Sequence, residues 1–166
     1  MQLYIFNEYL RRMKSENTFI DFENSIGPWL GRTAKIVDYH LQEAFRCKGI
    51  DLSKEQMVVL KKLHDQDGLH QNDLAFLTLR DKSSLTRLLS KMENKKYIIR
   101  KQCKEDKRAN NVYLTTLGKD IFTKTRPVIK QSLDKMQQNI SIEEKQHIIK
   151  ILKKIQSNLN EKETAI

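Results

Sequence analysis

The chain has 166 residues, 39% of them hydrophobic and 31% charged, with a net charge of +10. That is enough for one domain with helical extensions and a real core, and it excludes a disordered or fibrous chain. No apolar run reaches the roughly eighteen residues of a membrane span, the N-terminal residues lack an apolar signal core, and Cys47 and Cys103 have no metal-ligand spacing. A cytoplasmic protein with no membrane contact, metal, cofactor or structural disulfide is expected.

Residues 1–18 carry Leu3, Phe6, Leu10 and Met13 at helical spacing, which predicts a short amphipathic extension. Ser25-Ile26-Gly27-Pro28 predicts a helix start, because a proline in the first turn forgoes no hydrogen bond. From there Ile26, Trp29, Leu30, Thr33, Val37, Leu41, Ala44 and Phe45 recur every three or four residues, so a long amphipathic helix runs to Gly49. Ser53-Lys54-Glu55-Gln56 reads as a capping box, followed by Met57, Leu60 and Leu63 on a buried face and Asp67-Gly68 as a stop.

A shorter helix fits Gln71 to Leu77, with Leu74, Ala75 and Leu77 inward. Asp81 is placed to cap a fourth helix, Lys82 to Lys95, whose Leu85, Leu88, Leu89 and Met92 fall on one face. Two short helices joined by a tight turn suggest a helix-turn-helix. The period then changes. Tyr97 to Cys103 is rich in β-formers, Lys104 to Asn110 is polar, and Asn111-Val112-Tyr113-Leu114 resumes the alternation, giving a hairpin with a charged tip. Thr115 or Thr116 caps the next helix, which contains Pro127 as an expected kink, and Ser141-Ile142-Glu143-Glu144 opens a last helix carrying Ile148, Leu152, Ile155 and Leu159 on one stripe. That stripe is not needed by a winged core and predicts cover by a second subunit.

The charge is unevenly placed. Arg80 to Arg108 holds eleven basic and four acidic residues, whereas Phe19 to Leu79 holds seven basic and nine acidic. A local basic stripe points to a polyanion, although on charge alone a solvated face would be the better reading. With the leucines of the fourth helix inward, Lys82, Ser83, Ser84, Thr86, Arg87, Ser90 and Lys91 face outward. Small hydroxyls around one arginine suit a major groove, where a guanidinium can bond guanine bidentately. Arg100 and the hairpin tip Lys104, Lys107 and Arg108 would meet backbone or minor groove, with Asp106 orienting Arg108.

Five segments together resemble the MarR family: Leu52-Ser53-Lys54-Glu55-Gln56, Asn72-Asp73-Leu74-Ala75, Asp81 through Leu89, Glu105-Asp106-Lys107-Arg108 and Leu114-Thr115-Thr116-Leu117-Gly118. The resemblance implies a mainly α fold with a small β-hairpin wing, a winged helix-turn-helix core with N- and C-terminal dimerisation helices. On this reading residues 1–18 are an N-terminal extension, 19–49 the first dimerisation helix, 50–115 the DNA-binding lobe, 116–160 the C-terminal dimerisation helices and 161–166 a frayed tail. It implies a homodimer on double-stranded DNA with a pseudo-palindromic operator, a repressor released by a small aromatic or anionic effector. Trp29, Thr33 and His40 are candidate wall residues for that effector, against a plain core or interfacial role, and Cys47 and Cys103 are weaker candidates for oxidant sensing. Two departures stand out, Lys96-Tyr97 where the family usually has Gly, and His70 where a small capping hydroxyl is common. The rival classes are an enzyme, for which neither a glycine-rich phosphate loop nor a catalytic motif is present, and a winged helix that binds protein or RNA without operator specificity.

Overall fold

The computed structural model describes residues 21–103 and 110–160. The expected extension over residues 1–18, the hairpin-tip residues 104–109 and the tail 161–166 lie outside them. The chain divides into two compact units, residues 1–36 and 37–166. In the first, the Asp21 carboxylate accepts the Asn24 backbone N–H (3.1 Å) and side-chain amide (2.6 Å), and the Ser25 hydroxyl donates to the Asp21 carbonyl. This turn leads into helix α1 (Ile26–Cys47), which has Pro28 in its first turn.

α1 ends at a left-handed Gly49 (φ +64°), with the Ile50 N–H on the Phe45 carbonyl at 2.9 Å. Helix α2 (Lys54–Asp65) opens with the expected box: Ser53 N–H donates to Gln56 Oε1 (3.1 Å) and Gln56 N–H to Ser53 Oγ (3.3 Å). A two-residue strand β1 (Leu69–His70) leads into α3 (Gln71–Leu77), and α4 (Lys82–Asn94) follows its tight turn. Strands β2 (Ile98–Gln102) and β3 (Asn110–Leu114) precede α5 (Thr116–Met136) and α6 (Ile142–Asn160). Thr115 caps α5, which continues through Pro127, and Ser141 and Glu144 cap α6 reciprocally at 2.8 and 3.1 Å. None of the described helices is long and apolar enough to cross a membrane.

Two expectations change. The hairpin is part of a three-stranded antiparallel sheet in the order β1-β3-β2, because Leu69 pairs with Val112 and His70 with Asn111. Leu77 is 41% exposed, since a helix of two turns spends its inward positions on Leu74 and Ala75 before the chain turns away. The core joins Phe45, Leu52, Val59, Leu60, Leu63, Leu74, Leu85, Leu89, Met92, Ile98 and Val112, all buried, so both helices of the helix-turn-helix and the hairpin rest on one platform. Each of the larger side chains contributes on the order of 1.5–3 kcal/mol by leaving water.

The turns around α4 share one geometry. After α3 the N–H groups of Leu79 and Arg80 bond back to Phe76 O (3.1 Å) and Ala75 O (2.9 Å), and after α4 those of Lys96 and Tyr97 bond back to Glu93 O (2.8 Å) and Met92 O (3.0 Å). This paired closure requires a left-handed residue, ordinarily glycine. Leu79 (φ +51°) and Lys96 (φ +58°) occupy those positions instead.

Candidate nucleic-acid interface

The start of α4 is held from inside the protein. The Asp81 carboxylate accepts the Ser84 N–H at 2.8 Å, satisfying one of the orphan donors of the first turn. The Arg80 guanidinium donates to Ser84 Oγ at 3.0 Å. The Thr86 hydroxyl donates to the Lys82 carbonyl (2.7 Å) and accepts from the Gln71 amide (2.8 Å), so its proton is committed within the fold and it ties α3 to α4. α3 is itself capped by His70, whose Nδ1 accepts the Asn72 N–H at 3.2 Å. The ring nitrogen does the work of the small hydroxyl expected there.

What remains outward is sharply defined. Lys82, Ser83, Arg87 and Lys91 are exposed and make no side-chain hydrogen bond or ion pair among the described residues. Ser83, Arg87 and Lys91 recur every fourth residue and so form one row along α4, with about 6 Å of rise between successive members. The row borders a groove of about 970 Å³ whose far side carries Gln42, Asp51, Ser53 and Glu55. The Ser53 hydroxyl donates to Glu55 at 2.7 Å and holds its carboxyl below the usual range, so the groove carries Asp51, Glu55 and Asp81 as well as Arg80, Arg87 and Lys91.

Two cations of the basic segment are already spent. Arg100, expected at the DNA surface, donates through Nη2 to Glu93 Oε2 (2.6 Å) and Ser90 Oγ (3.2 Å). Lys95 donates to Asp51 Oδ1 (2.7 Å) and to the Asp51 carbonyl (3.0 Å), with the Tyr97 ring 5.9 Å away. On the sheet the Lys101 ammonium lies 5.3 Å from the Tyr113 ring centroid. Lys104, Asp106, Lys107 and Arg108 lie outside the described residues.

The three effector candidates differ in setting. Trp29 is 57% exposed and its indole N–H donates to the Glu23 carbonyl at 2.7 Å, and Thr33 is exposed one turn later. His40 is partly buried and lines a recess of about 200 Å³ with Cys47, Val128, Gln131 and Lys135. Reasoning from the sequence missed Arg80 and Gln71 as supports of α4. Arg80 was visible only as one charge among many, and Gln71 acts fifteen residues away along the chain.

Known proteins share this arrangement. The model of the MarR family matches residues 52–109, which span α2, the helix-turn-helix and the first half of the hairpin. An HTH-type transcriptional regulator of Bacillus subtilis, YdgJ, is 29% identical over 114 residues, covering 69% of this chain and 68% of the relative. A MarR family transcriptional regulator from Silicibacter pomeroyi superposes with a TM-score of 0.69 at 25% identity, over 87% of this chain and 97% of that one. The transcriptional repressor CouR, solved with a 23-mer DNA duplex, shares the fold with a TM-score of 0.75 at 17% identity, over 84% and 98% of the two chains. With the helix-turn-helix, the flanking hairpin and these likenesses in agreement, the chain has the fold of the MarR family of winged helix-turn-helix transcriptional regulators and matches that family over residues 52–109.

Proposed function

We propose that the protein is a sequence-specific double-stranded DNA-binding repressor, a homodimer on a pseudo-palindromic operator, released by a small aromatic or anionic effector. The observation that carries this reading is the row Ser83, Arg87 and Lys91 beside Lys82, uncompensated donors on a helix where Ser84, Thr86, Ser90 and Glu93 are hydrogen-bonded within the fold. Arg87 then reads base edges in the major groove, and Lys82 and Lys91 hold phosphates. Lys104, Lys107 and Arg108 meet the backbone or minor groove beside it, with Asp106 orienting Arg108. Arg100 supports the surface through Glu93 and does not touch DNA.

α6 supports the dimer. Its Ile148 and Leu159 are exposed while Leu152 and Ile155 are only partly buried, an apolar stripe that a second copy would cover. For release, the groove beside α4 offers Arg80, Arg87 and Lys91 to a carboxylate, which would take Arg87 away from DNA. Trp29, Thr33 and His40 are the further wall residues to which the family resemblance points. The test is selection of genomic fragments with the full-length purified protein, followed by titration of the recovered duplex, a scrambled duplex, single strands and duplex RNA at several salt concentrations. A preference of about a thousandfold or more for the recovered duplex supports the reading. Equal affinity for all four would assign the chain instead to a protein- or RNA-binding module.

A further inference from the structure

Leu79 combines two unfavourable features. Its backbone is left-handed at φ +51°, where a Cβ meets the following carbonyl, and its side chain is 94% exposed to water. Nothing in the fold repays either cost, because the two bonds its turn makes, Leu79 N–H to Phe76 O at 3.1 Å and Arg80 N–H to Ala75 O at 2.9 Å, are backbone bonds that a glycine at 79 would allow equally well. The other two non-glycine residues at positive φ differ in kind. Lys96 is a charged side chain at home in water, and Asn139 is a type that tolerates this region. Strain kept without internal benefit concentrates where a protein meets its ligand.

We propose that Leu79 determines specificity by packing against the C5 methyl group of a thymine at the rim of the major groove that α4 enters. The inference rests on the DNA-binding reading above. A recognition helix enters the groove with its N-terminus leading, and Leu79 stands two residues before the cap Asp81. The thymine methyl is the apolar feature that the major groove displays. Lys82, exposed and free of protein partners among the described residues, begins α4 three residues after Leu79 and is the phosphate contact of the DNA-binding reading nearest to it along the chain. Phe76, 81% exposed one turn earlier on α3, marks the rival, a protein partner seated on both side chains.

The parent, Leu79→Gly and Leu79→Ala are titrated against the operator and against operators in which each thymine in turn is replaced by deoxyuridine, which removes only the methyl group. The expected result is one thymine in each half-site whose replacement weakens the parent about fourfold, the equivalent of one buried methyl, and leaves both variants unaffected. Leu79→Gly should also melt above the parent and Leu79→Ala should not, since only glycine relieves the backbone. A flat scan for the parent, or a thymine response that persists in both variants, overturns the assignment while operator binding stands, and gives the patch to a protein partner. Failure of the parent to prefer any genomic duplex would overturn the DNA-binding reading instead.

Discussion

The Arg100 guanidinium closes on the Glu93 carboxylate from β2 to α4, Nη2 to Oε2 at 2.6 Å and Nε to Oε2 at 3.1 Å, while Glu93 Oε1 accepts the Arg100 backbone N–H at 3.1 Å. Arg100→Ala should therefore lower stability by about 1 kcal/mol, discounted for the partial exposure of the pair, in urea denaturation. The slope of log affinity against log salt should stay at the parent value, because the lost charge was compensated. A slope reduced by about one would return Arg100 to the DNA surface.

The same contact carries a pH dependence. The hydrogen bond from Arg100 holds the Glu93 carboxyl below its usual range. A depressed folded value means that the contribution is complete above the unfolded value of about 4.3 and is lost as pH falls through the folded one. Denaturation of the parent and of Glu93→Gln from neutral pH down to about pH 3 should show the parent's advantage shrinking over that acid window. An advantage constant with pH would show that the pair adds nothing ionic.

Lys96→Gly should stabilise the fold by about 1 kcal/mol, because the residue sits at φ +58° where glycine bears no Cβ penalty. Thermal melting checks this, and an unchanged or lower midpoint would mean that unfolded-state entropy cancels the relief.

Gly118→Ala should do the reverse. A Cβ there would stand 2.0 Å from the Tyr97 carbonyl oxygen, a backbone atom with no flexible end to give way. The loss should be on the order of 3 kcal/mol, or failure to fold, read by soluble yield and circular dichroism. A variant as stable as the parent would refute the close approach.

Three cations on or beside α4 should separate cleanly. Arg87→Ala should cost about 1–3 kcal/mol on the operator and much less on scrambled duplex, as a base contact does. Lys91→Ala should weaken both duplexes alike and lower the salt slope by about one. Lys95→Ala should leave the slope alone and reduce stability, because its ammonium is bound to Asp51. Titration at several salt concentrations reports all three, and equal losses for Arg87→Ala on both duplexes would reduce it to a phosphate contact.

On the proposed dimer, Ile148→Asp should dissociate the subunits, since a charge placed in an apolar stripe that a second copy covers is left unpaired. Sedimentation at micromolar concentration decides this. A full dimer with that substitution would place the interface elsewhere.

Local chemistry was readable along the chain and long-range pairing was not. The caps at Ser53, Asp81, Thr115 and Ser141 are short-range events, visible because donor and acceptor lie within three residues. The inward leucines of α4 followed from their spacing in the same way. Strand β1 escaped because two residues make no alternation, and its identity as a strand comes wholly from β3 across the sheet. Charge counting credited Lys95 and Arg100 to the DNA surface, yet their partners lie 44 and seven residues away and appear only when the chain is folded. The left-handed turns showed in part, since the missing glycine after α4 stands out in the sequence, while Leu79 carries no such local signal.

Thr115 carries a last consequence. Its N–H donates to Tyr97 O at 3.1 Å, its hydroxyl donates to Lys96 O at 2.6 Å, and the same hydroxyl accepts the Gly118 N–H at 2.9 Å. The closing turn of α4 and the opening turn of α5 thus share one riveted joint, which Gly118 lets close to contact distance. A displacement at the start of α5 must therefore either break these bonds or carry the end of α4 with it.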